Sequence, residues 1–210
     1  MPIVKEGNKM RKDFKSSKLA EDKTSADFVS RAEFKIQNAV EAFHYDFRDK
    51  TVLDIGSSTG GFTEYALSRG AKKVVAVEIG TNQMKAPLRF DPRIDLREKT
   101  DIFKVNSLEN IDTIMGDVSF VSLKKVLLHA KNHFVNPKTD FLMMLKPQFE
   151  AKPFQLKNGV VKNEKIRRDI IKDFENWLRI NGVVVKGKRD NSLAGRNGNI
   201  ERFYLLKVQK

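Results

Sequence analysis

The sequence contains no cysteine, which excludes a disulfide framework, a thiolate nucleophile, an iron–sulfur cluster and Cys-ligated zinc. Histidine is nearly as scarce, with three residues at 44, 129 and 133. His129 and His133 share an i, i+4 spacing, but no HExxH accompanies them and a solvent-facing pair is the commoner meaning of that spacing, so no metal is expected. No uncharged apolar run approaches the ~18 residues of a membrane span, and mean hydropathy is −0.47, so no membrane partner is expected. The start, Met1-Pro-Ile-Val-Lys-Glu-Gly-Asn-Lys, lacks the apolar core of a secretion signal, and a cytoplasmic location is expected.

What is present is a folded, basic chain. Its 210 residues suffice for one main domain, and 40% hydrophobic residues with 9% aromatics are too apolar for a disordered protein. Forty Lys and Arg against 27 Asp and Glu leave a net charge of +13, which favours a polyanion as a large partner. The excess is concentrated late: residues 146–210 hold sixteen bases against seven acids, whereas residues 1–27 hold seven against five. Residues 1–27 lack sustained apolar periodicity and read as a basic, flexible or accessory arm; residues 28–210 read as the domain.

Ser30-Arg31-Ala32-Glu33 has the form of a capping box, and Ile36, Ala39, Val40 and Phe43 follow at helical spacing, which predicts a helix over 30–44. Short apolar runs at 51–56, 73–78, 111–117 and 140–146 read as buried strands, alternating with helices at 60–69, 122–133 and 163–180. Runs at 183–189 and 201–208 read as two closing strands that pair antiparallel at one side. This alternation predicts an α/β fold, doubly wound about a mostly parallel sheet of about seven strands.

Asp54-Ile-Gly-Ser-Ser-Thr-Gly-Gly-Phe62 sits where the first strand turns into a helix. Glycines there let a ligand approach the backbone, while the helix N-terminus supplies free N–H groups. Gly56, Ser57, Ser58, Thr59, Gly60, Gly61 and Phe62 are therefore candidate cofactor-loop residues. The G-x-x-x-G-G spacing lacks the middle glycine of G-x-G-x-x-G, which disfavours a dinucleotide, and Asp54 suits a cationic ligand better than a phosphate. Glu78, at the end of the second strand, can accept both ribose hydroxyls of a nucleoside, and Asp101, after the next strand, can accept from an adenine amino group. S-adenosylmethionine satisfies such a pocket: nucleoside, sulfonium and amino acid, without phosphates.

Asp117 and Lys146 end two further strands and should face the same crevice at the carboxyl edge of the sheet. A lysine closing a nearly apolar strand directly before Pro147 lies where desolvation and a carboxylate tune its proton affinity. Taken alone, Lys35 would be a lysine facing water from an amphipathic helix, and Glu201 an edge-strand charge.

Six strings recur in a familiar order: Ser30-Arg31-x-x-x-Lys35, Asp54-Ile-Gly-x-Ser-Thr-Gly-Gly-Phe-Thr63, Asp117-Val-Ser-Phe-Val-Ser-Leu123, Leu145-Lys-Pro-Gln-Phe-Glu150, Gly159-Val-Val161 and Gly198-Asn-x-Glu201. From about residue 28 to the C-terminus the chain resembles the hemolysin-A-like (TlyA) ribosomal RNA methyltransferases, a branch of the FtsJ-type 2′-O-methyltransferases. The resemblance implies a Rossmann-like S-adenosylmethionine-dependent methyltransferase fold. It also implies a catalytic Lys-Asp-Lys-Glu set that falls on Lys35, Asp117, Lys146 and Glu201, with Asp117 also lining the cofactor site. In that chemistry Lys146 would stabilise a developing 2′-oxyanion, while the other three orient it, set its protonation state and carry the proton away. The implied partner is ribosomal RNA or a ribosomal subunit. Family members commonly begin with an S4-type RNA-binding domain of roughly sixty residues, whereas here only the basic arm precedes Ser30. The usual Ser-Arg-Gly-Gly is Ser-Arg-Ala-Glu, and a common Asp after the second strand is Glu78. Three alternatives compete: a nicotinamide enzyme on the same fold, a noncatalytic RNA-binding factor with a retained cofactor pocket, and a hemolysin, for which no membrane-inserting segment is encoded.

Overall fold

The computed structural model describes residues 31–192, 194–195 and 198–209, so the basic arm and Ser30 of the capping box lie outside the described residues. Seven strands form one sheet: β1 (Thr51–Ile55), β2 (Lys73–Val77), β3 (Ile94–Arg97), β4 (Thr113–Gly116), β5 (Asp140–Leu145), β6 (Val183–Asp190) and β7 (Arg202–Val208). Their spatial order is β3-β2-β1-β4-β5-β7-β6. The first five run parallel, and β7 lies antiparallel to both β5 and β6. The closing pair is thus antiparallel as expected, but β7 is an interior strand.

Period-2 patterning explains how the strands bury both faces. In β1, Leu53 and Ile55 join Val75, Ile114, Phe141 and Met143 in a core beneath helices α4 (Leu123–His133) and α6 (Glu164–Ile180). The alternate residue Val52 joins Val74, Met115, Leu142 and Met144 on the opposite face, beneath α1 (Arg31–Phe43) and α2 (Gly61–Ser68). The apolar stripe of α1, Ile36, Ala39 and Val40, packs in that second core with Phe62 and Ala66 of α2. Two short helices complete the order, α3 (Ala86–Arg89) and α5 (Pro147–Glu150).

Strand order reverses between β1 and β4, so the connections leave a crevice at their carboxyl ends. The turn after β1 is built on Gly60, which caps α2 at φ +98°, and a Cβ there would meet Leu88 Cδ1 at 2.5 Å. Gly60→Ala is expected to destabilise the protein by about 1–3 kcal/mol, read as a lower denaturation midpoint. A wild-type midpoint would remove the left-handed turn as a constraint on this loop.

Candidate active site

Four charged side chains meet at the carboxyl edge. Asp117 follows β4 and Lys146 follows β5, held at the strand end because Pro147 opens α5. Lys146 Nζ lies 2.7 Å from Asp117 Oδ1 and donates to Ser119 Oγ at 2.7 Å and to the Asp117 carbonyl at 3.3 Å. Burial pushes the Asp117 carboxyl up. The positive charges of Lys146 and Lys35 oppose that push, and the Glu201 carboxylate reinforces it.

Lys35 donates to Glu201 Oε2 at 2.6 Å, with only 14% and 4% of the two side chains exposed. The lysine therefore does not face water, and the glutamate is not an edge charge. Register explains both. Because β7 runs antiparallel, its first residue Arg202 pairs with Leu145, so Glu201 arrives beside Lys146, and the first turns of α1 bring in Lys35. Asn199, buried two residues earlier, accepts from Val161 N at 3.0 Å and donates to Gly159 O at 3.1 Å. Arg167 donates to Ile200 O at 3.2 Å and to Asp190 at 2.7 Å. The backbone on the N-terminal side of Glu201 is thus tied down at two points.

Beside this cluster opens a cleft of about 970 Å³. Its wall includes Gly56, Ser57, Ser58, Thr59, Gly61 and Phe62 of the glycine-rich turn, together with Glu78, Asp101, Asp117 and Lys146. Glu78 accepts from Ser58 N at 2.9 Å and Gly80 N at 2.7 Å, which fixes its carboxylate at the end of β2. Asp101 caps a short 3₁₀ turn by accepting from Phe103 N at 3.0 Å. Gly60 and Asp54 stand behind the wall: Gly60 shapes the turn, and Asp54 points into the interior at the end of β1. One Asp54 oxygen accepts from Thr63 Oγ1 at 2.6 Å; the other, Oδ1, is buried without a hydrogen-bond partner.

Burial pushes the Asp54 carboxyl from its ordinary 3.8 up to about 7, with the Asp117 and Glu78 charges adding to the effect. In the unfolded chain this group ionises near pH 3.8, so the native state holds the extra proton between there and about pH 7. Its contribution to stability is fully present below that window and is lost as pH rises through it. Denaturation across pH 4–8, a range of roughly that window, is expected to show a declining component that Asp54→Asn removes. An identical slope in the variant would refute the assignment.

Several residues were not legible from spacing. Ser122 Oγ and Leu123 N donate to the two oxygens of Glu150 at 2.7 and 2.5 Å, so the Asp-Val-Ser-Phe-Val-Ser-Leu and Lys-Pro-Gln-Phe-Glu strings are two halves of one joint. Phe120 packs against Phe149 with ring centroids 5.2 Å apart, yet is 92% exposed and sits at φ +63°, rare for a bulky side chain. It lines the cleft beside Lys146. Its place in one of the quoted strings was the available signal. The rings of His129 and His133 lie tilted with centroids 4.4 Å apart, and the two residues bond the carbonyls of Val105 and Asn106, each at 3.0 Å. They brace the segment after Asp101 and are not simply a solvent-facing pair. Among the described residues no group of three His, Asp or Glu could hold a metal ion, and no helix is long and apolar enough to cross a membrane.

The FtsJ-like methyltransferase family matches residues 28–208. The chain belongs to that family. It is 37% identical over 185 residues to the 23S rRNA (cytidine-2′-O)-methyltransferase TlyA of Campylobacter jejuni, covering 87% of this chain and 72% of that protein. It is 34% identical over 180 residues to Hemolysin A of Brachyspira hyodysenteriae, covering 83% and 74%. A crystal structure from Lactococcus lactis, of a protein named for hemolysin, superposes with TM-score 0.82 at 33% identity, covering 87% of this chain and 89% of that one. The fold is therefore the Rossmann-like α/β fold of S-adenosylmethionine-dependent methyltransferases, and the sequence lies among the TlyA and hemolysin A homologues of the FtsJ-like family.

Proposed function

We propose that this protein transfers the methyl group of S-adenosylmethionine to a ribose 2′-hydroxyl of ribosomal RNA, using Lys35, Asp117, Lys146 and Glu201. The observation that carries this reading is the pair of short ion pairs, Lys146 with Asp117 at 2.7 Å and Lys35 with Glu201 at 2.6 Å, beside the cleft. The cleft suits the cofactor. Each Glu78 oxygen has one backbone N–H and keeps lone pairs free for ribose hydroxyls. Ile79, Ile102 and Phe103 offer apolar cover for a base, and Asp101 stands beside them as an acceptor. Asp54 Oδ1, buried without a partner behind the glycine-rich turn, is an unused acceptor, and a cation bound nearby would favour the ionised form that burial disfavours. When bound, the cofactor supplies a methyl group already activated by a positive sulfur.

The chain's own work is to position an alcohol and manage its proton. Lys146 Nζ, already donating to Ser119 Oγ and the Asp117 carbonyl, is the donor for charge developing on the 2′-oxygen. Asp117 and Glu201 are the carboxylates of the cluster able to take the proton, and Lys35 keeps Glu201 in place. Phe120, solvent-exposed beside Lys146, gives a base turned out of its stack an aromatic face. Ribosomal RNA is proposed because relatives such as the Campylobacter protein are named for it, and cytidine is the first nucleotide to test. Wild-type protein is expected to move tritiated methyl from S-adenosylmethionine into ribosomal RNA, presented naked or as separated subunits. Absence of label in every form, with the cofactor bound, would overturn the reading.

A further inference from the structure

The segment after Lys146 is fastened at both ends close in sequence to members of the reactive cluster. At its start Glu150 caps α4, and near its end Asn199, two residues before Glu201, grips Gly159 O and Val161 N. Between and just beyond these fastenings the chain turns a run of charge outward: Lys152, Lys157, Lys162, Lys165 and Arg168 are all exposed. None of the five has an ion-pair partner among the described residues, and the one acid within 151–168 is Glu164. Some exposed bases elsewhere sit on acids, as in Arg48 with Asp46, Arg93 with Asp91 and Lys188 with Glu175, and others do not; the 152–168 run is set apart by holding five exposed bases against one acid. Amid the unpaired run stands Phe154 on a 3₁₀ turn, 81% exposed.

A strip of unpaired cations attracts a polyanion, and an exposed aromatic within it offers a stacking face that only an unpaired base can use. We propose that the 152–168 strip is the docking surface for single-stranded RNA entering the crevice, with Phe154 stacking on a base and Lys152, Lys157 and Lys162 contacting phosphates. This rests on the RNA reading given above and adds the surface and strand state by which the RNA is held. The strip's attachment beside both Lys146 and Glu201 gives a bound strand a path to the reactive set.

The test is fluorescence anisotropy of a short fluorescein-labelled RNA, single-stranded or annealed to its complement, titrated across a salt series. The Lys152→Ala/Lys157→Ala/Lys162→Ala variant is expected to lower the slope of log affinity against log salt by roughly 2 for the single strand. Phe154→Ala is expected to weaken single-strand binding about fivefold or more with the slope unchanged. Duplex binding should not respond to Phe154→Ala. Calorimetric titration with S-adenosylmethionine, unchanged in both variants, verifies that each is folded. A wild-type slope in the triple variant, equal loss for duplex and single strand in Phe154→Ala, or no salt-dependent RNA binding by the wild type would each overturn the proposal, the last pointing to an acidic protein partner. Wild-type binding with the expected slopes but no methyl transfer to ribosomal RNA would support the surface while refuting the ribose-transfer reading.

Discussion

Lys146→Ala is expected to lower the single-turnover rate of methyl transfer by about 10²- to 10⁴-fold, the range for removing one preorganised donor or proton-transfer group, with cofactor affinity little changed. The reason is local. Lys146 lies between Asp117 Oδ1 and Ser119 Oγ, and its position is fixed by a strand end that Pro147 terminates. Lys146→Arg keeps the charge but replaces a compact ammonium by a planar fork and is expected to recover little. A rate within tenfold of wild type for Lys146→Ala, measured with both substrates saturating, would exclude it from the chemical step.

Glu201→Gln is expected to cost about 3 kcal/mol of stability, because it leaves the Lys35 ammonium without its partner in a site that is mostly buried. The rate should fall as well, by about a hundredfold or more. The double variant Lys35→Met/Glu201→Gln separates the two effects. With both charges gone, stability measured by denaturant titration should recover most of the loss, while activity stays low. If activity returned with stability, the pair would be a structural tie and nothing more.

The sheet was legible because its strands are buried on both faces and read as short apolar runs. The runs at 51–56, 73–78 and 140–146 match β1, β2 and β5 to within a residue. β3 was the hard strand: Ile-Asp-Leu-Arg is half-buried and half charged, and it was implied only as the strand before Asp101. Within the site, Asp117 and Lys146 were readable as strand-end residues. Lys35 and Glu201 were not, since their meeting depends on β7 entering antiparallel beside β5, a register that no local pattern encodes. They came from the resemblance alone. The grip of Asn199 on the 159–161 backbone explains why the Gly159-Val-Val161 and Gly198-Asn-x-Glu201 strings occur together, a relation visible only in space.

The most direct test of the central claim is the chemical identity of the methylated product. Ribosomal RNA treated with wild-type protein and S-adenosylmethionine would be digested to nucleosides and analysed by mass spectrometry. The account predicts added mass on the ribose as a 2′-O-methylnucleoside, absent with Lys146→Ala. Methyl found on a base instead, or 2′-O-methylation undiminished in that variant, would contradict it.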